Sequence, residues 1–354
     1  MDWNASGIIN SFEYELIDPF QLDLSLGFLE GVENGSITES YRGDYRVTAS
    51  IDIDGEFPPI RPLIRVWHVA ELGDEVVREE LGTFTQGRPT YRYRNGRRVG
   101  SIPLYSAMYR LSGHLRAGDS TIKAGTVVAG HFESIVKNAG GVSWLHPALD
   151  EKATFSADRV WESGKTVLSE CHACADALGG TVGVDTHGRV TIERYQRPAV
   201  RSDSFAIDSE TARISRDGVS VTTAEWHNCA IVSATVNDRE YVGIAKVDES
   251  HPLHMRKVGY WRTDYTTLSD PPDSGVQAAV DTAARARLDE LMGAPNIYSA
   301  NLLYKPISCG EVGTFWYQDS DDDDEGLFVR ALVTQREITL DQTMSMKLTM
   351  EEVS

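Results

Sequence analysis

Cysteine is scarce. The four residues Cys171, Cys174, Cys229 and Cys309 in a chain of 354 are too few and too far apart for a disulfide framework, so the sequence reads as one made in a reducing compartment. Long apolar runs are missing too. No stretch approaches the ~18–20 apolar residues of a membrane-spanning helix, and residues 1–25 carry acids with no basic start and no apolar h-region. Nothing in the sequence reads as a targeting segment or a membrane anchor. Positive charge is in deficit: 34 Lys and Arg against 53 Asp and Glu leave a net charge of −19, which disfavours a protein that clamps nucleic acid by neutralising phosphates. Catalytic signatures are also absent. There is no Gly-x-Ser-x-Gly elbow, no phosphate loop of the Gly-x-x-x-x-Gly-Lys-Ser/Thr type and no His-Glu-x-x-His zinc-hydrolase motif.

What is present suffices for a folded protein: 41% apolar and 25% charged residues fill a core and solvate a surface. The length exceeds the roughly 250–300 residues at which single cores stop growing, so several domains are expected. In the first hundred residues apolar and polar side chains alternate with the period of half-buried strands, at Phe12–Leu16, Arg46–Ile53 and Leu63–Trp67. Glu33-Asn34-Gly35, Asp54-Gly55, Pro58-Pro59 and Asn95-Gly96 read as the turns between them.

Near residue 118 the apolar period lengthens. Val128, Phe132, Ile135, Val136 and Ala139 form one helical face stopped by Gly140-Gly141, and Val167, Cys171, Cys174, Ala175 and Leu178 repeat the same offsets before Gly179-Gly180. Residues 181–184 and 190–193 then read as two strands joined through Asp185-Thr186-His187-Gly188. Alternation returns at Val219–Thr223, Ala230–Val236 and Glu240–Ala245, with Asn237-Asp238 as a turn. A third amphipathic helix is predicted over about Ser274–Met292, with Val276, Val280, Ala284, Leu288 and Leu291 on one face and Gly293 ending it. Tyr298–Leu303, Gly310–Tyr317, Gly326–Gln335 and Met344–Met350 read as further strands.

The expected fold class is α+β, mainly β, with two β-barrel- or sandwich-like domains and small intervening α/β units. The expected domains are 1–117, a first β domain; 118–205, an α/β domain with two helices and a β-hairpin; and 206–354, a second β domain with a helical insertion at about 270–305.

Candidate chemistry is sparse. Cys171-His172-Ala173-Cys174 has the spacing of a redox pair or half a zinc site, but both cysteines sit where Phe132 and Ile135 sit in the preceding helix, which favours core packing. A Pro separates His251 and His254, so the helical His-x-x-x-His geometry is excluded and a surface loop is expected. His187 belongs to a turn. His68, His114, His131, His146 and His227 share no spacing. Asp319, Asp321 and Asp323 alternate like the start of a calcium loop, yet Asp324 stands where that loop needs Gly and Arg330 where it needs Glu. Asp321, Asp322, Asp323 and Asp324 therefore read as an acidic solvent or lumen loop. Arg92, Arg94, Arg97 and Arg98, with Arg88 nearby and Tyr91 and Tyr93 between them, form a basic cluster that is read as a candidate subunit interface. No catalytic, metal-ligating or cofactor-binding set is assigned.

Phe12–Leu16, Ile64–Trp67 leading to Glu80–Phe84, Ala157–Lys165 and above all Ala175–Val190 resemble the hub proteins of phage tails, the baseplate hub that is also the N-terminal part of tail-associated proteins in long non-contractile tails. The resemblance implies a homotrimeric ring whose two barrel-like domains per chain give six similar barrels around a channel. Such a ring matches the six-fold tail tube to a three-fold tip, with the α/β units beneath. It implies distal tail and tube proteins above as partners, tip or fibre proteins below, DNA that passes without being bound, and a place at the virion's tail tip after assembly in the host cytoplasm. Some relatives carry a C-terminal hydrolase or receptor-binding module. Here the sequence given stops at Ser354, just after the last expected strand, so no enzyme is expected. Net acidity suits a conduit, since carboxylates on a lumen repel phosphates over about 8–10 Å at physiological salt. The alternatives are an envelope-degrading hydrolase using Cys171 or a His-Asp set, and a carbohydrate-binding adhesin using the seven tryptophans as platforms.

Overall fold

Alternating side chains in the first part of the chain build β1 (Ile9–Asp18), β2 (Gln21–Phe28), β3 (Val32–Ser40), β4 (Val47–Gly55), β5 (Leu63–Leu72), β6 (Glu75–Gln86), β7 (Thr90–Arg94) and β8 (Arg97–Tyr105). The computed structural model describes every residue except 4, 60, 209–213, 215–217, 224–225, 237–238, 269–274, 293–295, 318–326 and 354. The chain forms two units. The first takes Met1–Val219 and Ser299–Met350, the second Ser220–Tyr298 and Glu351–Ser354.

In the first unit β5 lies between β1 and β6, all antiparallel, with Ile9 opposite Glu71 and Ile17 opposite Leu63. β3 pairs with β4 and β4 with β8, and alternate residues Ala49, Ile51 and Ile53 of β4 point into the core. The expected turn at Glu33-Asn34-Gly35 does not exist: these residues are inside β3. Gly35 is there for close approach instead, since a Cβ on it would lie 2.6 Å from the Ser50 carbonyl oxygen across the pair.

After β8 come α1 (Met108–Gly113), β9 (Ser120–Ile122), α2 (Val128–Asn138), β10 (Ser143–Leu145), β11 (Arg159–Trp161), α3 (Val167–Leu178), β12 (Gly180–Val184), β13 (Val190–Arg194) and β14 (Phe205–Asp208). The shared helical pattern is realised. Phe132, Ile135 and Val136 of α2 meet Cys171, Cys174 and Ala175 of α3 over Val182, Val190 and Ile192 of the β12–β13 hairpin. Thr166 caps α3 by accepting the Ser169 amide, and Gly179 ends it in the left-handed region at φ 66°. Met108 and Leu111 of α1 join this core. That helix carries no periodic signal because six residues span less than two turns.

The second unit holds β16 (Cys229–Val236), β17 (Arg239–Lys246), α4 (Met255–Val258), β18 (Thr263–Thr267) and α5 (Val276–Met292), with β15 (Val219–Thr223) entering it. β16 is the middle strand, antiparallel to β17 and parallel to β18. α5 lays Val276, Val280, Ala284 and Leu288 over Ala230, Val232, Ala234 and Ala245. The predicted turn at Asn237-Asp238 and the stop at Gly293 lie outside the described residues. At Gly243 a Cβ would come within 2.3 Å of the Val280 carbonyl oxygen, so only glycine lets the helix sit this close. Gly243→Val is expected to destabilise this unit by about 3 kcal/mol through overpacking, read as a lower denaturant midpoint with an unchanged slope.

The chain returns to the first unit with β19 (Asn296–Leu303, from Ser299 on), β20 (Val312–Tyr317), β21 (Leu327–Thr339) and β22 (Ser345–Glu352). β21 pairs with β3, Gln335 opposite Ser40 and Thr339 opposite Ser36, so the last strands continue the sheet begun by the first. Large antiparallel sheets and few helices make the protein mainly β, as expected. The barrel part of that expectation is corrected: the strand order β19-β22-β21-β3-β4-β8-β6-β5-β1-β2 is an open path and no closed barrel forms among the described residues. Closure would need β2 to pair on both sides, and among the described residues it pairs only with β1.

Candidate functional site

The β7–β8 hairpin is built by its turn. Asn95 and Gly96 take φ of 50° and 79°, the positive values that a tight two-residue hairpin requires. Pairing sets Tyr91 opposite Gly100, Arg92 opposite Val99, Tyr93 opposite Arg98 and Arg94 opposite Arg97. Directly paired residues share a face, so Arg92, Arg94 and Arg97 lie on one side, and Tyr91, Tyr93 and Arg98 on the other. Arg98 stacks over the Tyr91 ring at 5.2 Å, and Tyr91 rests on Phe57 at 5.2 Å. Every residue of β7 is exposed, and Arg88 is exposed just before it.

Beside the hairpin an open cleft of about 500 Å³ is lined by Phe28, Glu30, Asp54, Glu56, Phe57 and Pro58 among others. β2 leads into it with Leu24, Leu26 and Phe28 exposed by 44%, 49% and 56%, although a register shift against β1 between Leu16 and Ile17 breaks the alternation of its side chains. Leu22, nearer the start of β2, is buried with Ile17 and Leu63.

The polar interior is more elaborate than the spacing of the sequence suggests. Glu170 is 1% exposed, yet its carboxylate accepts from Arg116 Nη2 at 2.6 Å and Nε at 3.0 Å, and His131 Nε2 lies 2.7 Å from Oε1. Burial alone would raise this carboxyl; the hydrogen bonds from His131 and Arg116 outweigh it and hold it below the ordinary glutamate range. One signal of this arrangement was in the sequence: Glu170 stands three residues after Val167 and four before Cys174, on the apolar face of its helix.

A second knot centres on Arg65, buried in β5. Its Nε donates to Thr83 Oγ1 at 2.9 Å, its Nη2 to the Leu22 carbonyl at 2.9 Å, and it pairs with Glu80 at 2.8 Å. His187, expected only as a polar turn residue, sits against the same cluster: Nδ1 is 3.3 Å from Glu80 and Nε2 is 3.0 Å from Asp23. The turn between β12 and β13 is thereby tied to β2, β5 and β6.

Cys171 and Cys174 are fully buried in the helical core, as their offsets predict, and burial pushes both thiols up, Cys174 to about 12. Neither presents a thiolate. Cys229 is buried in β16, and half-buried Cys309 donates its thiol to the Glu39 carbonyl at 3.3 Å, with burial again pushing it up. The expected surface loop at His251–His254 is corrected in part. His254 is 7% exposed, caps α4 by accepting the Arg256 amide, and meets Trp261 edge-on, because the loop folds back on its own unit. All seven tryptophans are half-buried: Trp67, for instance, lies under the Arg78 guanidinium at 3.8 Å and donates to Glu15. Asp321, Asp322, Asp323 and Asp324 lie outside the described residues. Among the described residues no group of three or more His, Cys, Asp or Glu is placed to hold a metal ion, and no helix is long and apolar enough to cross a membrane.

No family model and no curated protein matches the sequence. Solved structures do match the fold. A tail protein from Neisseria meningitidis is 13% identical, with 97% of each chain covered and a TM-score of 0.65. The 43 kDa tail protein of prophage MuSo2 from Shewanella oneidensis is 12% identical over 96% of this chain and 98% of that one, with a TM-score of 0.60. An Escherichia coli protein described as a type VI secretion component with structural similarity to the T4 bacteriophage tail proteins gp27 and gp5 is 12% identical. It covers 92% of this chain and 75% of its own, with a TM-score of 0.50. The fold of this chain is that of phage tail and tail-hub proteins.

Proposed function

We propose that the chain is a structural protein of a bacteriophage tail. It assembles as a homotrimeric hub ring at the tail tip, joins the six-fold tube above to the three-fold tip below, and lines the channel through which DNA leaves during host entry. The observation that carries the reading is the agreement of fold with a tail protein over 97% of both chains. The partners of this ring are the distal tail and tube proteins on one side and tip or fibre proteins on the other. It is assembled in the host cytoplasm and carried in the virion.

Two further features support a role in assembly rather than catalysis. The cysteines of the Cys-x-x-Cys pair are packed as apolar side chains with their thiols held protonated, and the buried Glu170 is saturated by Arg116 and His131. Net acidity lets DNA pass without capture.

Light scattering on the purified chain, followed by cryo-electron microscopy of the tail, tests the reading. Three copies per ring at the tip are expected. A chain that stays monomeric alone and with the other tail proteins, or that is absent from purified tails, would overturn it.

A further inference from the structure

A second open cleft of the first unit, of about 610 Å³, is bounded by the end of β3, the segment before β4, the β12–β13 hairpin and residues 308–311. Arg46, Arg194 and Arg201 line it, and two of these guanidinium groups lie over the Tyr41 ring, Arg46 at 5.5 Å and Arg201 at 5.7 Å from its centre. Arg201 is fixed by neutral acceptors. Its Nε donates to the Gln196 carbonyl at 2.9 Å, its Nη2 to Tyr41 Oη at 3.0 Å and its Nη1 to the Gly310 carbonyl.

Arg46 is the anomaly. It is half-buried, and burial pulls its guanidinium below the ordinary arginine value, yet among the described residues its side chain has no hydrogen-bond acceptor and no ion-pair partner. A partly desolvated cation with unused donors costs stability. Its backbone adds to the cost: Arg46 sits at φ 57°, in the left-handed region that favours glycine, with its amide donating to the Gly43 carbonyl and its carbonyl accepting from the Ser40 amide. Stability alone would favour glycine there. The acids of the cleft do not relieve it. Glu39 pairs with Arg336 at 3.0 Å, Asp185 with Arg189 at 2.6 Å, and Glu311 accepts from Ser204 Oγ at 2.8 Å. Glu193 and Arg194 are both exposed and have no ion-pair partner among the described residues.

We propose that this cleft binds the oxyanion group of a ligand, a carboxylate or a phosphate, on the guanidinium of Arg46, with Arg194 and Arg201 supplying further positive charge. A guanidinium lying over a ring keeps its in-plane N–H fork free, and that fork matches either group in two-point contacts. The bound group would supply the acceptor that Arg46 lacks, which gives a reason for an arginine at a position that strains its backbone. The site goes beyond the assembly proposed above and does not depend on it.

The test is calorimetric titration of the full chain with inorganic phosphate and with glutarate, in the wild type, Arg46→Gly and Arg94→Gln. Saturable binding of at least one probe by the wild type is expected, weakened by roughly tenfold or more in Arg46→Gly, where a charged hydrogen-bonding partner is lost. Arg94→Gln removes an exposed arginine of the β7–β8 hairpin and is expected to leave the affinity unchanged. Without ligand, Arg46→Gly is expected to melt no lower than the wild type, because glycine suits the positive φ. Tighter phosphate identifies a phosphate ligand and tighter glutarate a carboxylate one; either supports the site. Three results overturn it: neither probe binds the wild type at millimolar concentration, Arg46→Gly binds as well as the wild type or no worse than Arg94→Gln, or Arg46→Gly melts well below the wild type, which would show that the guanidinium serves the fold. None of the three bears on the assembly reading.

Discussion

Glu170→Ala is expected to lower the unfolding free energy by about 3–5 kcal/mol, the cost of leaving a buried charge network without its anion. Arg116 and His131 would lose an acceptor that now lies 2.6 Å and 2.7 Å away, and α3 would lose the link from its first turn to the segment before β9 and to α2. Glu170→Gln keeps the shape and some of the hydrogen bonds, so its loss is smaller. The pH dependence follows from the direction of the shift. The folded carboxyl is held below its unfolded value of about 4.3, so its contribution is fully present above that pH and is lost as pH falls through the lower folded value. Acid titration of unfolding should therefore be steeper in the wild type than in Glu170→Gln below about pH 4.3. Parallel acid profiles would show that the carboxylate is not held as its contacts imply.

Arg65→Ala is the second large effect, again about 3–5 kcal/mol, because Arg65 is 4% exposed and its removal takes the cation from the half-buried Glu80, leaving it Thr83 and His187, and takes this donor from the Leu22 carbonyl. Its consequence is also positional. Arg65 and Glu80 hold the turn carrying His187, which joins the β12–β13 hairpin to β5 and β6. Hydrogen exchange in residues 181–192 should accelerate more than in the α2–α3 helices. Arg65→Lys should rescue little, since a single ammonium cannot reach Thr83, Glu80 and the Leu22 carbonyl together. Uniform acceleration across the unit would show instead that the turn is held by packing alone.

Both knots show why polar interiors are hard to read from sequence. Glu170 and Arg65 interrupt apolar faces, a visible anomaly, but their partners lie 54 and 39 residues away for Arg116 and His131, and 122 away for His187. No periodicity connects positions so distant. The short or weakly apolar elements α1, β9, β10, β11 and β18 escaped for the opposite reason: each is stabilised by neighbours rather than by its own pattern. Glu33-Asn34-Gly35 misled because a glycine that opens a turn and one that admits a neighbouring backbone look alike in one dimension.

Local order was set by the chain itself. Period-two and period-3.6 repetition marked β1, β4, β5, most later strands and the three main helices, though not β2, β3, β6 or β8; Asn95-Gly96 marked the arginine hairpin, and helical offsets placed Cys171 and Cys174 in a core. These depend on backbone geometry and on which face meets water, and both are encoded within a few residues. Tertiary structure alone decided that β21 lies beside β3, that the sheet stays open at β2 among the described residues, and that His187 meets Arg65 and Glu80. Strand neighbours and charge partners are chosen by the free energy of the whole packed arrangement, which no local repeat records.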